Sequence, residues 1–168
     1  DINIATGYRS DQIERLGFPT SYNTRFASTN MVESLFCAIN FLKECKDDLV
    51  IAYGDIIYQK ENLKKVLMSN EEVTLMIDLN WRDLWAERIE NPLEDAETLV
   101  INKQGFVEEI GKKPINYEKI HGQYTGLIKI RSDKVSDLID FYLGLKRDSL
   151  YDGKDFENMY MTSFLQLL

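Results

Sequence analysis

Short apolar runs alternate with segments of helical spacing along most of the chain. Ile2, Ile4 and Ala5 lead into Thr6-Gly7, the pattern of a short strand closed by a turn. Ser10 and Asp11 can cap a helix running to Leu16, Gly17 closes it, and Phe18 to Tyr22 reads as a returning strand. That makes a β-α-β unit, which implies a right-handed crossover. Ser28-Thr29-Asn30 supplies caps for one well-buried helix in which Met31, Leu35, Ala38 and Leu42 recur at helical spacing, widened by Val32, Phe36 and Ile39. Leu49 to Tyr53 is a run of five apolar residues, expected as a strand buried on both faces, as in parallel sheets covered by helices. A helix over Glu61 to Met68, with acids early and lysines later, suits the helix dipole, and Val73 to Leu79 reads as the next strand.

Between Asn80 and Ala96 the pattern changes to a polar and aromatic excursion whose Pro92 limits any helix, and long connections of this kind are often functional. Leu99 to Ile101 and Phe106 to Ile110 flank Asn102-Lys103-Gln104-Gly105 as a hairpin. Gly122-Gln123 introduces a strand over Tyr124 to Ile130, and helices follow at about Ser132 to Leu145 and Phe156 to Leu168. The expected fold is α/β: a three-layer α/β/α, Rossmann-like arrangement around a mostly parallel mixed sheet, with a small β-hairpin excursion.

The chemistry concentrates after the run ending at Tyr53. Gly54 lets the chain turn, and Asp55 then places a carboxylate just past the carboxyl end of a central strand, where open α/β sheets bind ligands. A lone carboxylate there is a hard donor for Mg²⁺, which completes its shell with waters and substrate phosphates. Gly-Asp pairs also serve simply as turn residues, and the spacing alone leaves both roles open.

With 168 residues the chain is about one domain, and 44% hydrophobic with 29% charged residues is an ordinary globular balance. No apolar run approaches the roughly 20 residues that span a bilayer, so no membrane insertion is expected. Cys37 and Cys45 offer no disulfide framework, which makes a reduced, cytoplasmic setting the default. A net charge of −8 argues against non-specific nucleic-acid binding, although a single nucleotide needs only a metal and a few local cations. His121 has no Ser or Cys nucleophile at a recognisable spacing, and no Cys/His cluster suggests zinc.

Taken in order, Ile4-Ala5-Thr6-Gly7-Tyr8, Asn30-Met31-Val32-Glu33-Ser34-Leu35, Tyr53-Gly54-Asp55 and Gly122-Gln123-Tyr124-Thr125-Gly126 resemble motifs of the nucleotidyltransferases. Within that family the bacterial phosphocholine and 2-aminoethylphosphonate cytidylyltransferases are the most similar. The resemblance implies that residues 1–168 are the central part of a single nucleotidyltransferase domain, truncated at both ends. It would lack the N-terminal Gly-rich triphosphate loop and the C-terminal strand with the second metal-binding Asp, and would be inactive alone. The implied partners are a nucleoside triphosphate, CTP favoured, and a small phosphorylated or phosphonylated acceptor. A homodimer is compatible with the same resemblance.

The implied reaction is in-line attack of an acceptor oxygen on the α-phosphate with loss of pyrophosphate, in which the protein positions groups and neutralises charge. Asp55 would bind Mg²⁺. Thr29, Asn30, Ser34 and Gly54 would bind the nucleotide, though the first three also suit plain helix capping. One of Lys112 and Lys113 would meet the α-phosphate as a point charge, unless both are simply solvated. Arg88, Gln123, Tyr124 and Gly126 would face the acceptor, with ordinary surface pairing to Glu87, Glu90 or Glu94 as the other role for Arg88. Trp81, Trp85 and Tyr58 can form a cation–π cage for a quaternary ammonium, or belong to the core. The competing functions are a hexose-1-phosphate nucleotidyltransferase, a non-catalytic nucleotide-binding domain, and a glycosyltransferase of similar architecture. The last usually carries a D-x-D pair where this chain has Asp55-Ile56-Ile57.

Overall fold

A computed structural model describes all of residues 1–168. The chain divides into two compact units, one of Asp1–Lys46 with Val135–Leu168 and the other of Asp47–Lys134.

The first unit opens with β1 (Ile4–Thr6), α1 (Ser10–Glu14) and β2 (Thr20–Tyr22), and the two strands pair in parallel, as the β-α-β reading requires. α1 is shorter than expected and has no side-chain cap, because Arg9 at its start adopts a left-handed conformation with φ 55°. The helix expected over 31–42 is two helices, α2 (Met31–Phe36) and α3 (Ile39–Glu44). Hydrogen bonding tightens to three residues where Ala38 N–H donates to the Leu35 carbonyl, then restarts when the Ala38 carbonyl accepts from Leu42. The break lets α2 pack on β1 and α7 (Met161–Leu167) while α3 packs on α6 (Val135–Gly144). The final helix is likewise divided into a 3₁₀ turn over Phe156–Asn158, capped by Asp155, and α7. This unit's core is aromatic: Phe36 stacks on Tyr142 at 3.6 Å, and Phe164 meets Phe36 edge-on at 5.7 Å.

The second unit holds β3 (Leu49–Ala52), α4 (Lys60–Met68), β4 (Val73–Asp78), α5 (Trp81–Arg88), β5 (Leu99–Ile101), β6 (Val107–Ile110) and β7 (Gln123–Ile130). β5 and β6 form the expected hairpin, with His121 Nδ1 accepting from the Ile101 N–H at 3.0 Å beside it. The sheet order is β3-β7-β4, and β7 is antiparallel to both neighbours, so β1 and β2 are the two strands that pair in parallel, with one further parallel bridge between Leu99 and Ile120. β3 is therefore an edge strand with one partner, and the double-sided burial expected of it belongs to β7, where residues 126–130 are all buried. The reason is the excursion. It leaves the carboxyl end of β4 and re-enters at the same end, where Asp78 pairs with Gln123, so the chain can only run back antiparallel. Within that excursion Trp81 to Arg88 is helical despite its polarity, because Trp81, 4% exposed, buries itself against Ala96 and Ile120.

Candidate functional site

Asp55 lies exposed in the turn after β3. Gly54 before it has no positive φ, and a Cβ there would meet nothing within 4 Å, so the turn itself does not require glycine. Further inward lies Tyr53, whose phenol is raised to about 12 by burial, with Glu97 and Asp55 adding negative potential. Tyr53 meets Tyr124 edge-on at 5.8 Å. The Tyr124 hydroxyl is buried beside it without a well-formed hydrogen bond, and burial pushes its pKa well above the ordinary phenol range, making it a weaker acid.

Gly126 is what permits this contact. Its φ of +86° places it in the left-handed region, and a Cβ would fall 2.7 Å from the Tyr53 ring. The register against β4 slips at this point, so β7 bulges where Tyr53 N–H donates to the Gly126 carbonyl at 3.0 Å. Next to the bulge is a cavity of about 180 Å³ whose lining includes Trp85, Asp95, Glu97, Gln123 and Tyr124. Gln123 supplies its wall rather than a free amide: Nε2 donates to the carbonyls of Glu97 and Gly122, and Oε1 accepts from the Glu97 N–H at 3.0 Å.

The expected aromatic cage does not form. Trp81 is core, Trp85 meets it edge-on at 5.9 Å and donates to Asp95 Oδ2, and the guanidinium of Arg82 lies 4.1 Å above Tyr117 in the same cluster. Tyr58 takes no part in it. Lys113 donates its ammonium to the Glu94 carbonyl, while Lys112 is held at its backbone by Thr98 and extends into solvent. Arg88 is exposed in the last turn of α5 and does not line the cavity.

Asn30, in the first unit, caps α2, its Oδ1 accepting from the Met31 N–H at 2.8 Å, so capping is one of its jobs. Thr29 and Ser34 are drawn together by a residue that sequence patterns do not single out. Asn23, 3% exposed, donates from Nδ2 to Thr29 Oγ1 at 2.9 Å and to Ser34 Oγ at 3.0 Å. Equally unforeseen is the charge cluster behind α2: Glu33 pairs with Arg25 at 3.0 Å, Arg25 reaches Glu157, and the Tyr142 hydroxyl donates to Glu33. The signal for it in the sequence is an acid inside an apolar helix face, since a buried Glu33 needs cations to balance it.

No His, Cys, Asp or Glu cluster of three or more could cage an ion; a lone exposed carboxylate such as Asp55 could hold a metal only with waters and bound phosphates completing its shell. That donor set suits Mg²⁺ brought in with a nucleotide. No helix is long and apolar enough to cross a membrane.

No protein-family model matches the chain. Two solved structures share its fold: one described as a glucose-1-phosphate thymidylyltransferase from Bacillus anthracis, with TM-score 0.65 and 16% identity, and the inositol-1-phosphate CTP transferase of T. maritima, with TM-score 0.63 and 16% identity. Each alignment covers 98% of this chain, which spans 61% and 59% of those structures respectively. The α/β, Rossmann-like class is thereby established. In sequence, the chain is 47% identical over 178 aligned positions to the CTP:phosphoglutamine cytidylyltransferase of Campylobacter jejuni, an alignment that takes in 100% of this chain and 69% of that protein. The chain belongs to the nucleotidyltransferase family, on its cytidylyltransferase side.

Proposed function

We propose that the protein to which this chain belongs transfers a cytidylyl group from CTP to a small phosphorylated acceptor, releasing pyrophosphate. The 47% identity with a cytidylyltransferase along the entire chain is the observation that carries this reading. An oxygen of the acceptor's phosphate attacks the α-phosphorus, the bond to the bridging oxygen breaks, and that oxygen leaves with the β- and γ-phosphates as pyrophosphate. A bound Mg²⁺ would offset negative charge on the reacting phosphates.

The chain's own residues then divide the work. Asp55 would hold the cation, and the open space over Gly54 would let a phosphate approach the backbone. Lys112 is the cation left free to meet phosphate, since Lys113 is engaged with Glu94. Thr29, Asn30 and Ser34 meet the base. Tyr124 and the cavity beside Gly126 receive the acceptor, with Gln123 holding the wall in place; the carboxylates of Asp95 and Glu97 on that wall favour an acceptor with an ammonium or other donor-rich end. Phosphoglutamine is the first candidate.

The test is pyrophosphate release by the full-length protein over the four ribonucleoside triphosphates plus dTTP, each with phosphoglutamine, phosphocholine, 2-aminoethylphosphonate and a hexose 1-phosphate. Turnover with CTP and an amino-bearing acceptor is expected. Turnover confined to hexose 1-phosphates would move the protein to another branch of the family, and none at all would end the reading.

A further inference from the structure

The side-chain amide of Asn23 cannot be turned around. Its Oδ1 accepts from the Arg25 N–H at 2.9 Å, a group that can only donate, so both Nδ2 protons must point the other way, to Thr29 and Ser34. The amide is buried, and its backbone is fixed as well: its N–H donates to the Thr6 carbonyl at 2.8 Å and its carbonyl accepts from the Phe26 N–H at 3.2 Å. Both hydroxyls therefore accept from Asn23, and each is left with one proton to donate. Thr29 spends its proton on the Arg25 carbonyl at 3.0 Å. Ser34 has only the Asn30 carbonyl at 3.5 Å, at the outer limit of a hydrogen bond.

Ser34 is thus held as a donor, half-buried, with its proton nearly uncommitted. One turn away on the same face, Asn30 has its oxygen occupied by the Met31 N–H, so what it offers is Nδ2, whose one protein contact is the Asn158 carbonyl at 3.4 Å. The segment presents two uncommitted donors, while one acceptor position on each of the Asn30 and Ser34 side-chain oxygens is already taken. Cytosine shows adjacent acceptors, O2 and N3, along its pairing edge. Uracil and thymine put an N3 proton between two oxygens, and Ser34 can accept it only by committing its own proton to the Asn30 carbonyl at 3.5 Å, a poor hydrogen bond.

We propose that Asn23 is a specificity-determining positioning residue: by fixing the Ser34 hydroxyl as a donor it makes the Asn30–Ser34 face select cytosine over uracil and thymine. This rests on the reading that residues 29–34 meet the base. Asn23 itself touches no substrate; it acts through Ser34.

Two substitutions in the full-length protein test it. Asn23→Asp keeps the shape but replaces the donor with an acceptor, so Ser34 must turn its proton inward. The CTP:UTP ratio of kcat/KM should fall about tenfold or more, the loss appearing in KM for CTP while kcat and the acceptor KM stay near wild type. Ser34→Ala should lower the ratio equally, and the double variant should be no worse than Ser34→Ala alone. Should Asn23→Asp fail to fold, 3-deaza-CTP, which lacks the N3 acceptor, serves instead: wild type should discriminate against it about tenfold, and Ser34→Ala should not. A wild-type enzyme that prefers CTP, with variants that keep that preference, overturns the role of Asn23. A wild-type enzyme with no preference for CTP overturns the cytidylyl reading beneath it.

Discussion

Asp55 carries the sharpest prediction at the scale of single residues. It is exposed, and its side chain has no part in the packing of the core. Asp55→Asn keeps the size and one carbonyl oxygen but removes the charge that, on the proposed reading, would hold a hard cation. Losing a principal electrostatic contributor in a charge-neutralising reaction costs on the order of 3 kcal/mol, roughly 10²-fold in rate. Turnover should fall by that factor and recover partly at high Mg²⁺, with a melting temperature within a few degrees of wild type. If Asp55 only shaped the turn, the pattern would invert, with early melting and near-normal specific activity in what remains folded. Measuring both on one preparation decides between them. The neighbouring Gly126 acts differently, through the backbone. There β7 yields so that Tyr53 and Tyr124 can meet, which leaves a buried Tyr124 hydroxyl beside a cavity.

Among the elements, β7 is the one on which the second unit turns, and its least expected residue is Lys129. The side chain is only 3% exposed, yet its ammonium is fully engaged, donating to the carbonyls of Leu67 and Ser69 at the end of α4 and pairing with Asp48 at 2.7 Å. It joins strand, helix terminus and the start of β3 in one contact, and cations favour helix carboxyl ends. Lys129→Met should cost about 2–3 kcal/mol in urea unfolding, since two carbonyls lose their donor and a partly solvated carboxylate loses its partner. The pH dependence has a definite sign. Lys129 first, then the Ser132 N–H, hold the Asp48 carboxyl below the ordinary carboxylate range. A depressed folded value means stability present above the unfolded value of about 3.9 and lost as pH falls below it. Asp48→Asn should therefore lie below wild type by a constant amount above about pH 5, and the gap should close as pH falls through about 4 and below. A gap that widens on acidification would show the assignment wrong. β7 also shows where sequence reading stops. Its apolar run was legible, as were the hairpin, the β1-α1-β2 unit and α4, because periodicity and caps are local. Its antiparallel direction was not, because that depends on where the excursion from Asp78 to Gln123 re-enters the sheet. The division at Ala38 and the helix beginning at Trp81 were hidden for the same reason, each being decided by the partner it packs on. Among the candidate site residues, Asp55, Ser34 and Tyr124 are proposed through resemblance, whereas Asn23 carries no motif and is meaningful only once folding brings it against Thr29 and Ser34.

On the scale of the whole molecule, the chain is one unit interrupted by another. Residues 47–134 begin and end together: Leu49 pairs with Ile130 across β3 and β7, and Asp48 Oδ1 accepts from the Ser132 N–H at 2.9 Å. This segment has its own buried residues in Leu49, Val66, Leu127, Ile128 and Ile130, with Trp81, Ala96 and Ile120 forming a second cluster over the hairpin. A segment whose ends are hydrogen-bonded neighbours loses little loop-closure entropy when excised, since nothing outside it is needed to bring them together. Residues 47–134 expressed alone should therefore unfold cooperatively in urea, with near-ultraviolet ellipticity from the Trp81–Trp85–Tyr117 cluster retained. Residues 1–46 alone should not. Their helices bury Phe36 and Glu33 against Tyr142 and Phe164, which reach them only from the returning segment 135–168. A mixture of 1–46 with 135–168 should recover helical ellipticity that neither peptide shows by itself, and Glu33→Ala should weaken that recovery by removing the partner of Arg25 and Tyr142. A gradual, non-cooperative melt of 47–134 would show that its sheet depends on the other unit, and the picture of an inserted, self-sufficient body would have to be abandoned.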